Sequence, residues 1–268
     1  MLPIGDANPT RHRPYVTLGL IALSVSAFLL WQPTFAGSVR QQVFFFCNAE
    51  IPFEVSHQTN LARGGQEAVA AVSEDLGLAP QDAQGLQQLL QSRCPDKSWS
   101  LSIFVAMFLH GGWMHIAGNM LYLWVFGNNV EDRLRPLAFV IFYLLGGVAA
   151  AGLQLAFDPN SAIPSLGASG AIAAVLGAYL VMFPHARVRT LTMFFLITVI
   201  ELPAVFVLGA WFVLQLLQGV GELGTGAVNT GVAYWAHIGG FATGVVGGLL
   251  FRGRGRPTGW TPVRPDYF

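Results

Sequence analysis

Six apolar stretches of near membrane-spanning length divide this 268-residue chain and leave little of it free to build anything else. A spanning helix needs about 20 mostly apolar residues. The stretches run from Tyr15 to Phe35, Trp113 to Val130, Leu137 to Phe157, Ala168 to Met182, Leu191 to Leu217 and Ala233 to Phe251. Charged residues make up 10% of the chain, where a soluble domain carries about 25%. The 31 glycines fit the same setting, because small residues let helices approach closely in lipid. The expected fold class is therefore an all-α polytopic membrane protein: a bundle of six transmembrane helices with a long external loop after the first. The first stretch follows Arg11 and Arg13, as a signal peptide would. Its length and the five spans behind it point to a retained helix.

Arginine and lysine placement sets the orientation, since cytoplasmic loops carry the excess of positive charge. Arg11 and Arg13 precede helix 1, Arg133 and Arg135 follow helix 2, and Arg187 and Arg189 follow helix 4. Arg252, Arg254, Arg256 and Arg264 follow helix 6. On the other side, Arg40, Arg63, Arg93 and Lys97 all lie in the loop after helix 1. Both termini are expected in the cytoplasm of a multi-pass protein of the cell membrane. The organisation is then a tail over 1–14, a membrane domain over 15–251 with the external loop at 32–98 inside it, and a second tail over 252–268. Within the loop, Gln66 to Leu76 and Gln81 to Gln91 read as short amphipathic helices. Cys47 and Cys94 lie in that loop. They are either a disulfide, which an extracytoplasmic location permits, or two free thiols.

Polar groups inside a bilayer are costly, so each needs a reason. Helix 2 opens with His110-Gly111-Gly112-Trp113-Met114-His115 and continues to Asn119; helix 4 opens with Gly167-Ala168-Ser169-Gly170; helix 6 opens with Ala236-His237-Ile238-Gly239-Gly240. These three helices all run from outside to inside. At 1.5 Å of rise per residue, His115, Asn119, Ser169 and His237 fall at similar depth. A hydroxyl and an imidazole at one level suggest nucleophilic catalysis, with Ser169 attacking a carbonyl and His237 handling the proton. His115 and Asn119 are four residues apart on one helix face and both can donate to an oxyanion, as can the backbone amide of Ser169. No carboxylate is placed to complete a triad: Glu201 reads as the cytoplasmic start of helix 5, and Glu222 as a solvated loop residue. His110 reads as a solvated interfacial residue.

Each residue also has a plainer role. A serine in a membrane helix commonly bonds its own backbone, and an asparagine commonly joins helices. The spacing of His237, Gly240, Gly244 and Gly248 by three, four and four makes one small-residue stripe. Ser169, Ala173 and Gly177 make another, with Gly170 alongside. Two smooth faces pack closely whatever their purpose, and close packing is also what a Ser-His pair needs.

On these residues the chain resembles the rhomboid intramembrane serine proteases. The matching features are His115 with Asn119, the Gly167-Ala168-Ser169-Gly170 run, and His237 followed by Gly240 and Gly244. Glu131 with Arg133 also looks like a feature of that family. The resemblance covers about Phe108 to Phe251 and suits the basic six-helix, bacterial-type form. It implies a serine endopeptidase with Ser169 as nucleophile, His237 as general base and His115 and Asn119 at the oxyanion. The substrates would be transmembrane segments of single-pass or other membrane proteins, cut at an active site open to the extracytoplasmic side. Helix 5 would be a lateral gate, with Trp211 and Phe212 as its contact with helix 2. Two departures stand out. Some members place an aromatic ring four residues after the nucleophile, where this chain has Ala173. The family's Trp-Arg pair has no match, since Trp99 is followed by Ser100.

No cofactor or metal is expected, and the partners are the lipid bilayer and the substrate. A nucleic-acid partner is not expected, since net charge is +0 and no basic cluster sits beside an aromatic platform. Two other readings compete: a catalytically inactive relative that binds membrane clients, and a transporter using His110, His115 and His237. The inactive relatives usually lack nucleophile or base, and a transporter predicts an inverted repeat that the chain does not display. Sequence leaves the oligomeric state open.

Overall fold

A computed structural model of the chain describes residues 2–35, 38–193, 197–225 and 232–252. The segment 253–268, with Arg254, Arg256 and Arg264, lies outside the described residues. Strand β1 (Leu2–Asp6) is followed by α1 (Tyr15–Ser26), which continues as a wider π turn over Ala27–Trp31. Four helices then form a cap: α2 (Ser38–Asn48), α3 (Pro52–Ser56), α4 (Gly65–Leu76) and α5 (Pro80–Arg93). A short α6 (Trp99–Ala106) leads into α7 (Trp113–Leu134), α8 (Pro136–Phe157) and α9 (Ser169–Met182). Strands β2 (Arg187–Met193) and β3 (Ile197–Pro203) precede α10 (Ala204–Thr225) and α11 (Tyr234–Arg252).

Among the described residues, α8, the Ala204–Glu222 part of α10 and α11 are long and apolar enough to cross a membrane. Tyr15–Trp31 and Ser169–Met182 are shorter apolar helices. The 22-residue α7 interrupts its apolar run with His115, Asn119, Asn128 and Asn129.

The bundle is built around α9. Every residue from Ala171 to Tyr179 is buried, so this helix is apolar on all sides, as a central helix must be. Its most extensive partner is α11. A Cβ on Gly177 would run into the carbonyl of Phe241, one on Gly244 into the carbonyl of Ala174, and one on Gly240 into the carbonyl of Gly170. The two backbones therefore touch directly, and glycine is required where they do.

Two side chains tie the helix ends. Glu131 is 2% exposed and accepts from Val16 N at 3.0 Å, Thr17 N at 2.8 Å and Thr17 Oγ1 at 2.8 Å. A carboxylate so placed satisfies the orphan amides of the α1 N-terminus and complements its dipole. At the same end Arg133 donates to the carbonyl of Arg252, at the close of α11, at 2.8 Å. Both residues belong to the last turn of α7 rather than to a loop after it.

The fifth apolar segment differs from the sequence reading. Leu191 to Met193 and Ile197 to Pro203 are not the start of a helix: they lie in the antiparallel pair of β2 and β3, and α10 begins only at Ala204. The residues explain why. Val188, Thr190 and Thr192 are buried while Arg187, Arg189 and Leu191 between them are more exposed, the period of a strand, and Ile197, Thr198, Val199 and Ile200 are β-branched. Glu201 consequently sits in β3 opposite Arg189. Strand β1 pairs antiparallel on the other edge of β2, giving the order β1-β2-β3. At the end of β1, Asp6 accepts from Asn129 Nδ2 at 2.8 Å and from the Tyr179 hydroxyl. Burial pushes the Asp6 carboxyl up to about 6.

The cap has a small core of its own, including Phe46, Ile51, Phe53, Leu61, Val69 and Leu90. A disulfide joins Cys47 on α2 to Cys94 after α5, with Cα atoms 5.7 Å apart. Lys97 and Glu54, 4% and 1% exposed at their side chains, form a buried ion pair at 2.6 Å. Lys97 also donates to the carbonyl of Phe46 at 2.8 Å.

Candidate active site

The stretch between α8 and α9 is short of regular structure, and the cap supplies the partners it lacks. Ser165 N donates to the carbonyl of Glu50 at 2.7 Å, Phe53 N to that of Ser161 at 2.9 Å, and Ala162 N to Asp75 Oδ2. From the bundle side, Gly167 N donates to the carbonyl of Ala106 at 2.9 Å. The backbone therefore reaches Ser169, the first residue of α9, in a fixed direction.

A cavity of about 1030 Å³ opens at this end of the bundle. His115, Asn119, Ser169 and His237 all line it. Ser169 Oγ lies 2.8 Å from His237 Nε2. The other ring nitrogen, Nδ1, is 2.7 Å from Gln215 Oε1 on α10. A carboxamide oxygen only accepts, so Nδ1 carries the proton. In the neutral ring the Nε2 lone pair then faces the serine hydroxyl, the arrangement a general base needs.

His115 is fixed in the complementary state. Gly111 N donates to its Nδ1 at 3.2 Å, which leaves Nε2 as an N–H donor. That nitrogen lies against Gly167, where a Cβ would come within 2.8 Å of His115 Nε2 and 3.6 Å of Ser169 Oγ. Gly167 has φ +131°, a conformation side chains rarely adopt. Two independent constraints thus demand glycine between the serine and the His115 donor. Asn119 is 8% exposed and donates through Nδ2 to the carbonyl of His115 at 2.9 Å. One of its two amide hydrogens is thus engaged in its own helix, and the second remains for the cavity.

Glycines from both small-residue stripes pack beneath the pair: Gly170 against Ala150, Gly240 against the Gly170 carbonyl, and Gly244 against Ala174. Trp211 and Phe212 turn their rings toward α11. Trp211 stands 5.9 Å from the ring of His237, and Phe212 stacks on Phe241 at 4.4 Å.

Two further residues sit differently from the sequence reading, and a third is absent from it. His110 is not solvated; it is fully buried, edge-on to His115 at 5.3 Å, with its backbone held by Gln32. Glu222 is not a loop residue; it belongs to α10 and lines the cavity. Gln215 has no part in the sequence reading, because it lies in the middle of α10 rather than at a helix opening. It lies one turn from Trp211 in a mainly apolar stretch of helix, and an amide there is a signal in itself.

Over residues 96–254 the chain matches the rhomboid domain family. The chain belongs to the rhomboid family. Rhomboid protein 1, mitochondrial, of Saccharomyces cerevisiae is 31% identical over 152 residues, 55% of this chain and 41% of that protein. RHOMBOID-like protein 4 of Arabidopsis thaliana is 31% identical over 156 residues, 58% of this chain and 34% of its own length. Rhomboid protease GluP of Bacillus subtilis is 38% identical over 78 residues, 29% of this chain and 15% of its own. The chain thus spans less than half the length of these relatives. Family membership and the apolar helices together make this rhomboid a membrane protein.

Proposed function

We propose that this rhomboid is an intramembrane serine endopeptidase that cleaves transmembrane segments of other membrane proteins. The observation that carries the reading is the 2.8 Å approach of Ser169 Oγ to His237 Nε2 in a cavity of about 1030 Å³ at the end of a lipid-embedded bundle. Ser169 attacks the scissile carbonyl as His237 takes its proton. His237 then returns that proton to the leaving amine, and a water molecule repeats the sequence to free the acyl group. The tetrahedral oxyanion is met by His115 Nε2–H, the free Asn119 amide hydrogen and the Ser169 backbone amide.

In this reading six helices cross the bilayer: α1, α7, α8, α9, α10 and α11. Both termini face the cytoplasm, and the cavity opens on the extracytoplasmic side beneath the cap. The substrate arrives laterally past α10, where Trp211 and Phe212 sit, and unwinds locally to expose a carbonyl. Hydrolysis in lipid needs a hollow that admits water, and polar groups are tolerated at that depth where they line one.

The test is cleavage of a reporter with a Gly- and Ala-containing transmembrane segment by the purified protein in liposomes. The parent cleaves, and Ser169→Ala and His237→Ala reduce cleavage to background. Equal cleavage by the parent and both variants, or none by the parent across several such reporters, overturns the reading.

A further inference from the structure

The geometry points to Gln215 as the positioning residue for the catalytic base, so that His237 is competent only while α10 is docked against α11. This rests on the Ser169–His237 reading above and extends it to how the base is held. No carboxylate is bonded to His237 among the described residues. The position four residues after Ser169, where an aromatic ring could brace the imidazole, is Ala173. The Oε1 atom of Gln215 meets His237 Nδ1 at 2.7 Å across 22 residues of sequence. It alone among the described residues is bonded to that nitrogen.

This single bond does two things. It sets the tautomer that leaves Nε2 free to accept from Ser169, and it holds the ring plane toward the nucleophile. An oxygen acceptor on Nδ1 also stabilises the imidazolium that forms when the serine proton is taken. A neutral amide does so without holding an unpaired charge in a low-dielectric site.

The helix that carries Gln215 adds the second half of the inference. Trp211, one turn earlier, lies 5.9 Å from the His237 ring and 5.9 Å from Phe241. Phe212 stacks on Phe241 at 4.4 Å. Both contacts to the imidazole from this side, the hydrogen bond and the ring, therefore come from α10. If α10 swings aside, His237 loses its acceptor and its cover in the same movement. Proton transfer then waits for α10 to return after a substrate segment has passed it.

The experiment measures kcat and KM for reporter cleavage with the full-length protein in liposomes, beside Ser169→Ala and His237→Ala. Gln215→Leu and Gln215→Met remove the acceptor and keep the volume. Both are expected to lower kcat by ~10- to 100-fold with KM within ~2-fold, since orientation and proton transfer together contribute at least that much. Gln215→Glu restores an acceptor at the same reach and recovers kcat to within several-fold of the parent. Gln218→Leu, on the exposed side of the same helix, leaves both constants unchanged. Melting curves establish that the variants are folded, and Gln215→Met stands in should Gln215→Leu fail to fold. Parent-like kcat in the folded Leu or Met variant overturns the inference while leaving the dyad intact. So does a rise in KM alone, or a Glu variant as slow as Leu. A parent that cleaves nothing overturns the dyad reading and the inference with it.

Discussion

Gly167 carries two constraints in one residue. Its φ of +131° excludes side chains on backbone grounds, and the His115 imidazole occupies the place where a Cβ would point. Gly167→Ala should therefore displace His115 from Ser169 and lower kcat by ~100-fold or more, the cost of about an ångström of misplacement. Parent-like turnover in that variant would show that His115 does not act at the oxyanion. Glu50 makes a different residue-scale prediction. It is 4% exposed in the cap, and burial pushes its carboxyl up to about 7, against the smaller opposing effects of Ser165 and Lys97. A carboxyl raised in the folded state holds its proton more tightly there than when unfolded. Its contribution is full below the ordinary value of 4.5 and is lost as pH rises through about 7. The cap should become easier to digest with protease between pH 5 and pH 8, by up to about 3 kcal/mol of local stability. Glu50→Gln should flatten that dependence; an unchanged slope in the variant would assign it to other groups.

At the scale of elements, the contact of α9 with α11 decides whether a dyad exists. The Phe241 carbonyl lies where a Gly177 side chain would be, so Gly177→Val must push the two helices apart. Overpacking of this kind costs ~1–3 kcal/mol or more. Because Ser169 and His237 sit on the two helices, the melting temperature and the cleavage rate should fall together. A variant that melts lower but cleaves normally would place the dyad beyond the reach of this contact. The small-residue stripes that build the contact are legible in the sequence, because their spacing is helical and their residues are those that lipid-embedded helices use to approach. The β2–β3 hairpin was not legible in the same way. Its valines, isoleucines and leucines count toward hydropathy as well as helical ones do, and only their β-branched company, from Val188, Thr190 and Thr192 to Ile197–Ile200, distinguishes them. Pairing with β1 depends on contacts between residues more than 180 apart, such as Leu2 with Leu191, which no local pattern reveals.

At the scale of the whole molecule, the same logic separates what sequence can carry from what it cannot. Helix direction, read from arginine placement, puts the openings of the second, fourth and sixth segments at one level. Ser169 and His237 do meet there, and His115 lies against Gly167 beside them. The partner of the other His237 nitrogen comes from the middle of α10, whose rotation about its own axis is fixed by packing rather than by its charges. The cap is pinned to the loop before Ser169 by the Glu50 carbonyl, the Phe53 amide and the Asp75 carboxylate, which accepts from Ala162 N, and is stapled by Cys47–Cys94.

 Reducing that disulfide should loosen the cap and slow cleavage several-fold without abolishing it, because the Ser169–His237 pair lies outside the bridge; rates measured with and without reductant check this.

The most direct measurement is covalent labelling of the purified protein with a fluorophosphonate probe, followed by peptide mapping. A serine that attacks a phosphonate must be activated by a base, whatever the substrate. The account predicts a single adduct on Ser169, absent from Ser169→Ala and lost to background in His237→Ala. No adduct on the folded parent, or an adduct at Ser169 that forms equally fast without His237, would contradict it.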